Sequence, residues 1–156
     1  MKIPVIAVGN RMPRWVNEAF DEYAKRMPRT ARIVLHEIRP EPRDSGKPAA
    51  ALLEAEARRI GKAVPPGMGI VALDERGREF SSASFARWLA RRIDEGRDAA
   101  FVIGGPDGLA PGLKERAELL LRLSPMTLPH GLARVLLAEQ LYRAASIIQG
   151  HPYHRD

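Results

Sequence analysis

Four of the last six residues, His151-Pro152-Tyr153-His154-Arg155-Asp156, carry side chains able to do chemistry. Two imidazoles, a phenol and a guanidinium can move a proton near neutral pH and stabilise negative charge as it develops. The same composition also suits a polar end that frays in solvent. A His-x-x-His pair with no further ligand nearby makes a poor zinc site, so no metal is expected. With no Cys in the chain, disulfides and thiolate centres are excluded. Upstream, Glu139 and Arg143 stand at i,i+4 spacing, and Glu139 lies seven residues after Leu132 on an apolar stripe. A carboxylate buried there needs a partner, whereas an exposed one makes an ordinary helix ion pair.

Two further segments have the composition of ligand loops. Phe101-Val102-Ile103-Gly104-Gly105-Pro106-Asp107-Gly108-Leu109 runs an apolar stretch into paired glycines, which let backbone approach a flat ligand or simply make a tight turn. It lacks the Gly-Lys-Ser/Thr of a phosphate loop and the spacing of a dinucleotide fingerprint. Leu123-Ser124-Pro125-Met126-Thr127-Leu128-Pro129-His130 carries two prolines four apart. They hold the segment extended, as a recognition loop or as the lead-in to a helix.

The elements that must position these residues alternate between strand and helix patterns. Apolar strand segments are expected at Ile3 to Val8, Ile33 to Ile38, Gly69 to Leu73 (ending at Asp74), Ala99 to Ile103 and Leu119 to Leu123. Pro4 belongs near a strand start or on an edge. Helical stripes intervene: Trp15, Val16, Phe20 and Tyr23; Leu52, Leu53, Ala57 and Ile60; Phe85, Trp88, Leu89 and Ile93 behind a Ser81 or Ser82 cap; and a short helix near Pro111 to Ala117. The last helix, Gly131 to Gln149, is expected to point Leu132, Val135, Leu136, Tyr142 and Ala145 inward. Pro40 to Pro48 reads as a mobile surface loop. The alternation predicts an α/β fold with a parallel sheet and helices on both faces. Ligands then bind beyond the carboxyl ends of the strands, which selects the loops after Leu73, Ile103 and Leu123.

All 156 residues fit one domain. The formal charge of +6, with 20 Arg and 5 Lys, suits a phosphate-rich partner, and equally a genome rich in Arg codons. No apolar run approaches the ~18 residues of a membrane span and no signal peptide opens the chain, so a cytoplasmic location is expected.

Taken in order, the motifs resemble a family. Ala7-Val8-Gly9, Met12-Pro13-Arg14-Trp15-Val16, Leu73-Asp74, the Gly104 loop, Leu123-Ser124 with Thr127 to His130, Arg134-Val135, Ala138 to Ala144 and the His151 to Arg155 tail are similar to those of the large-subunit ribosomal RNA methyltransferase H family of the SPOUT superfamily. The resemblance spans the whole chain. It implies a parallel-sheet α/β domain closed by a C-terminal trefoil knot. It also implies a homodimer that methylates N3 of a pseudouridine in the 23S rRNA of the assembled ribosome, with S-adenosylmethionine as donor. By the same resemblance Leu73, Gly104, Leu123, Ser124, Pro125, Met126, Thr127 and Leu128 would hold the donor. His130, Arg143, Tyr153, His154 and Arg155 would take part in catalysis, and Arg134, Arg143 and Arg155 would contact RNA. Two other classes fit the alternation, a non-catalytic ribosome-binding module and a flavodoxin-like binder. The second lacks a phosphate-cradling loop after its first strand.

Overall fold

Along the chain come β1 (Lys2–Val8), α1 (Arg14–Arg26), β2 (Arg32–Ile38), α2 (Ala49–Ala63), β3 (Gly69–Glu79), α3 (Ser82–Asp94), β4 (Ala99–Ile103), α4 (Pro111–Arg116), β5 (Leu119–Arg122), α5 (His130–Gln149) and a closing 3₁₀ turn at Pro152–His154. The computed structural model describes residues 1–154, the last of them by its backbone alone. The strands form one sheet in the order β2-β1-β4-β3-β5, every pairing parallel. β4 sits at its centre and is buried at every position, as a strand covered on both faces must be.

Strand alternation builds two cores. Ile3, Val5 and Ala7 of β1, with Phe101 and Ile103 of β4, face Phe20 of α1, Phe85 and Leu89 of α3, and Leu137 and Leu141 of α5. Ile6, Val8, Ala100 and Val102 face Ala57 and Ile60 of α2 and Leu113 of α4. Local chemistry sets the helix ends. The Ser81 hydroxyl accepts from the Ser84 amide and caps α3. Pro111 opens α4 at a position that needs no amide hydrogen. Gly150, at φ 69°, ends α5 in the left-handed conformation that glycine tolerates, and the His151 amide reaches back to the Ser146 carbonyl.

Three expectations are corrected. β3 runs on to Glu79 instead of stopping at Asp74, because it meets β5 twice: Leu73 pairs with Leu121, and after a register shift Arg78 pairs with Leu121 again. Gly77 permits the shift, since a Cβ there would lie 2.6 Å from the Leu120 carbonyl oxygen. The inward face of α5 is Arg134, Leu137, Ala138, Leu141, Ala144 and, as expected, Ala145, while Leu132 and Leu136 are exposed at 41% and 36%. This helix is apolar on more than one side, so spacing alone could not choose its buried face. Trp15 and Ile93, placed on buried stripes, are likewise exposed. The Pro40 to Pro48 segment is a surface loop, exposed from Pro42 onward, with an anchor near its start. Buried Glu56 of α2 accepts from the Glu41 amide at 2.9 Å and pairs with Arg43, which also reaches Asp107 at 2.8 Å. Pro4 sits near the start of β1, before that strand begins to pair with β4.

Candidate active site

The carboxyl ends of β3, β4 and β5 open into a cleft. It is lined by Leu73, Ile103 and Leu121 of the strands, by Leu123, Ser124, Met126, Thr127 and Leu128 of the following loop, and by Ala133 of α5. Six of the eight positions expected to hold a donor therefore line one cavity: Leu73, Leu123, Ser124, Met126, Thr127 and Leu128. Its volume of about 170 Å³ is below the ~300 Å³ at which pockets begin to enclose a drug-sized ligand. A neighbouring cleft of about 580 Å³ shares Leu73, Asp74 and Glu75 and continues along Gly105 to Leu109 and Lys114. The two clefts adjoin at the three shared residues, which include two carboxylates.

Proline and serine shape the loop after β5. Pro125 keeps the chain extended, and the Ser124 hydroxyl accepts from the Met126 amide at 2.9 Å, turning Met126 outward to 78% exposure. Pro125 itself does not line the cavity, and neither does Gly104. A Cβ on Gly104 would lie 2.5 Å from the Gly108 carbonyl oxygen, so this glycine is required by the return of its own loop, which Gly105 and Gly108 close through a bridge. At the rim, burial alone would raise the Asp74 carboxyl. Lys114 at 2.9 Å and the Arg76 amide at 2.7 Å outweigh it and hold the group below its ordinary value. Asp74 is thus a fixed negative charge, and Lys114, its partner, carried no signal in the sequence.

The residues expected to do chemistry divide into two groups. The Glu139 carboxylate, with only 12% of its side chain exposed, accepts from Arg143 at 2.6 Å, Gln140 at 2.8 Å and the Tyr153 hydroxyl at 3.0 Å. Burial, then the bond to Glu139, pushes the Tyr153 phenol up to about 12, so it is a protonated donor at neutral pH. Its ring packs on Tyr142 with centroids 4.5 Å apart, under the Arg143 guanidinium. The tail is therefore docked on α5 through Tyr153, and the ion pair that spacing left undecided is the partly buried one. His154 continues this turn, but its side chain, and Arg155 entirely, lie outside the described residues.

The second group joins Arg134 and His130. Arg134, expected to face RNA, is completely buried; it pairs with Glu37 at 2.8 Å and donates to the Gly9 carbonyl. His130, a candidate for proton transfer, has both ring nitrogens occupied, one by the Gly104 carbonyl at 2.9 Å and one by Arg134 at 3.0 Å. Glu37 was not foreseen, because a glutamate near a strand end is ordinary surface chemistry in a sequence.

A family described as "Predicted SPOUT methyltransferase" matches residues 1–154. The chain belongs to the SPOUT methyltransferase family. Within it the chain is similar over its whole length to enzymes named ribosomal RNA large subunit methyltransferase H. One from Burkholderia multivorans is 59% identical over 155 residues, 99% of each chain. One from Burkholderia mallei is 57% identical over the same share. Among solved structures, a probable methyltransferase from Bordetella pertussis superposes with TM-score 0.59 at 21% identity, covering 92% of this chain and 95% of that one. A probable methylase family protein from Haemophilus influenzae gives the same score at 13% identity, covering 99% and 70%. At these identities the two structures bear on the SPOUT fold alone.

Proposed function

We infer that this SPOUT methyltransferase transfers a methyl group from S-adenosylmethionine to large-subunit ribosomal RNA, at N3 of a pseudouridine, and acts as a homodimer on the assembled ribosome in the cytoplasm. The observation that carries the reading is 59% identity over 155 residues to an enzyme named ribosomal RNA large subunit methyltransferase H. The cleft suits the donor: Leu73, Ile103, Leu121 and Leu128 offer faces to a purine, and Asp74 and Glu75 offer carboxylates to ribose hydroxyls and cationic groups. No helix among the described residues is long and apolar enough to cross a membrane, and the charge of +6 favours a phosphate-rich substrate. Exposed Leu132 and Leu136, one turn apart on α5, supply an apolar face for a twofold contact. The reading includes a trefoil knot formed where Leu123 to Pro129 leads from β5 into α5.

When bound, the donor supplies a methyl group already activated by a positively charged sulfur. The protein's task is alignment and proton removal. The apolar walls of the cleft exclude water and fix the direction of attack, which lowers the barrier by making the encounter effectively unimolecular. The imide N3 carries a proton that must leave as the N–C bond forms. With Tyr153 held protonated and both His130 nitrogens engaged, His154 is the base in this reading, and Arg155 and Arg143 stabilise charge developing on the carbonyl oxygens.

The test is transfer of labelled methyl from S-adenosylmethionine to free rRNA, large subunits and whole ribosomes, with transfer expected on ribosomes. His154→Gln should keep cofactor and ribosome binding while slowing single-turnover transfer by roughly a hundredfold. An unchanged rate and pH profile would remove His154 from the chemistry.

A further inference from the structure

The bonds at the start of α5 form a continuous chain across four segments. Arg134 Nη1 donates to Glu37 Oε2 at the end of β2, and Nη2 donates to the Gly9 carbonyl after β1. The same Nη2 lies 3.0 Å from His130 Nε2, and His130 Nδ1 lies 2.9 Å from the Gly104 carbonyl after β4. A guanidinium only donates and a carbonyl only accepts. Both contacts of His130 are therefore satisfied by one form of the ring alone: neutral, with its hydrogen on Nδ1 and its lone pair on Nε2. A charged ring would aim an N–H at a guanidinium. Gly9 makes room for the pair: its φ is +147°, and a Cβ there would lie 3.1 Å from Met12 Cε and 3.4 Å from Arg134 Nη2.

This chain of bonds runs beside the cleft. Ile103, directly before Gly104, and Ala133, between His130 and Arg134, both line it. The bond from His130 to the Gly104 carbonyl thus joins the two segments that carry these lining residues. Arg134 in turn fixes which ring nitrogen carries the hydrogen for that bond. We propose that His130 and Arg134 are positioning residues that set the spacing between β4 and α5 beside the cleft, and so prepare it for the methyl donor. The proposal rests on the donor reading above. It assigns neither residue a contact with RNA or with the reacting atoms.

Nitrogen NMR of the imidazoles, recorded on the full chain without cofactor, tests the clamp directly. His130 should show a hydrogen on Nδ1 and none on Nε2; a ring with its hydrogen on Nε2 would overturn the proposal. Calorimetry with S-adenosylmethionine tests the consequence. His130→Ala should weaken binding by about tenfold, the cost of leaving the bond unmade. His130→Asn, whose amide can donate to the Gly104 carbonyl, should stay within about threefold of wild type. Arg134→Met fills the buried site with an apolar side chain, and should release the tautomer in the nitrogen spectrum and weaken binding. Circular dichroism checks that each variant is folded. Equal losses in the Ala and Asn variants, or an Ala variant with wild-type affinity, would overturn the clamp. A wild-type chain that binds no S-adenosylmethionine would sink the donor reading, and the nitrogen spectra would still decide whether the clamp exists.

Discussion

At the scale of single residues, the structure changes what several polar groups can do by deciding who their partners are. Burial first, with the neighbouring Arg134 charge acting in the same direction, lowers the His130 imidazole below its ordinary value of 6.5, although the Gly104 carbonyl pulls the other way. The sign of the stability effect follows. Above about pH 6.5 the ring is neutral whether folded or unfolded and costs nothing. As pH falls below that value the unfolded chain takes up a proton that the folded one resists, so stability declines toward the folded pKa. Urea unfolding across this window should show a loss in wild type that is smaller in His130→Asn. Tyr153 shifts the other way. Spectroscopic titration of the chain's three tyrosines should show one phenol ionising near 12, and Tyr153→Phe should remove that step. The same change should lower stability by about 1 kcal/mol through the lost bond to Glu139.

At the scale of elements, surface segments are fixed by charges that reach them from helices. Glu56 is the anchor of the Pro40 to Pro48 loop, with 2% of its side chain exposed and Arg43 beside it. Glu56→Gln keeps the shape but removes the charge, and should destabilise the protein by roughly 1–2 kcal/mol. Limited proteolysis should then cut between residues 40 and 48 faster than in wild type. Equal cutting rates would mean that the loop is held by its prolines instead. β3 shows the same dependence on neighbours. Its outer half, Asp74 to Glu79, is polar enough to read as a turn, yet it is strand because β5 offers a second register. The displaced segment is what places Asp74 beside Lys114 at the rim.

At the scale of the whole molecule, one side of α5 covers the sheet and another carries Leu132 and Leu136 at the surface. A contact between copies through that face would cover leucines that otherwise meet water, worth ~25 cal/mol per Å² of apolar area buried. If the proposed homodimer uses this face, Leu136→Arg should leave the circular dichroism spectrum native and shift light scattering from dimer to monomer at micromolar concentration. A variant that stays dimeric would move the interface elsewhere on the surface.

Much of the fold was settled by the sequence itself. β4 and the outlines of α2 and α4 follow from apolar spacing and from proline and glycine at the ends, which act within a few residues of themselves. The order of the sheet, the buried side of α5 and the second half of β3 do not, because each depends on a surface supplied by a distant part of the chain. The same division runs through the site. The loops after Leu73, Ile103 and Leu123 could be selected from strand ends alone, since a parallel sheet presents its ligand side there. That Tyr153 is clamped, that Glu56 pins a loop, and that Arg134 is buried against Glu37 across 97 positions of sequence were decided only by tertiary structure. A charged side chain shows its type in the sequence, but its role depends on burial and on a partner, and both arise when the chain folds.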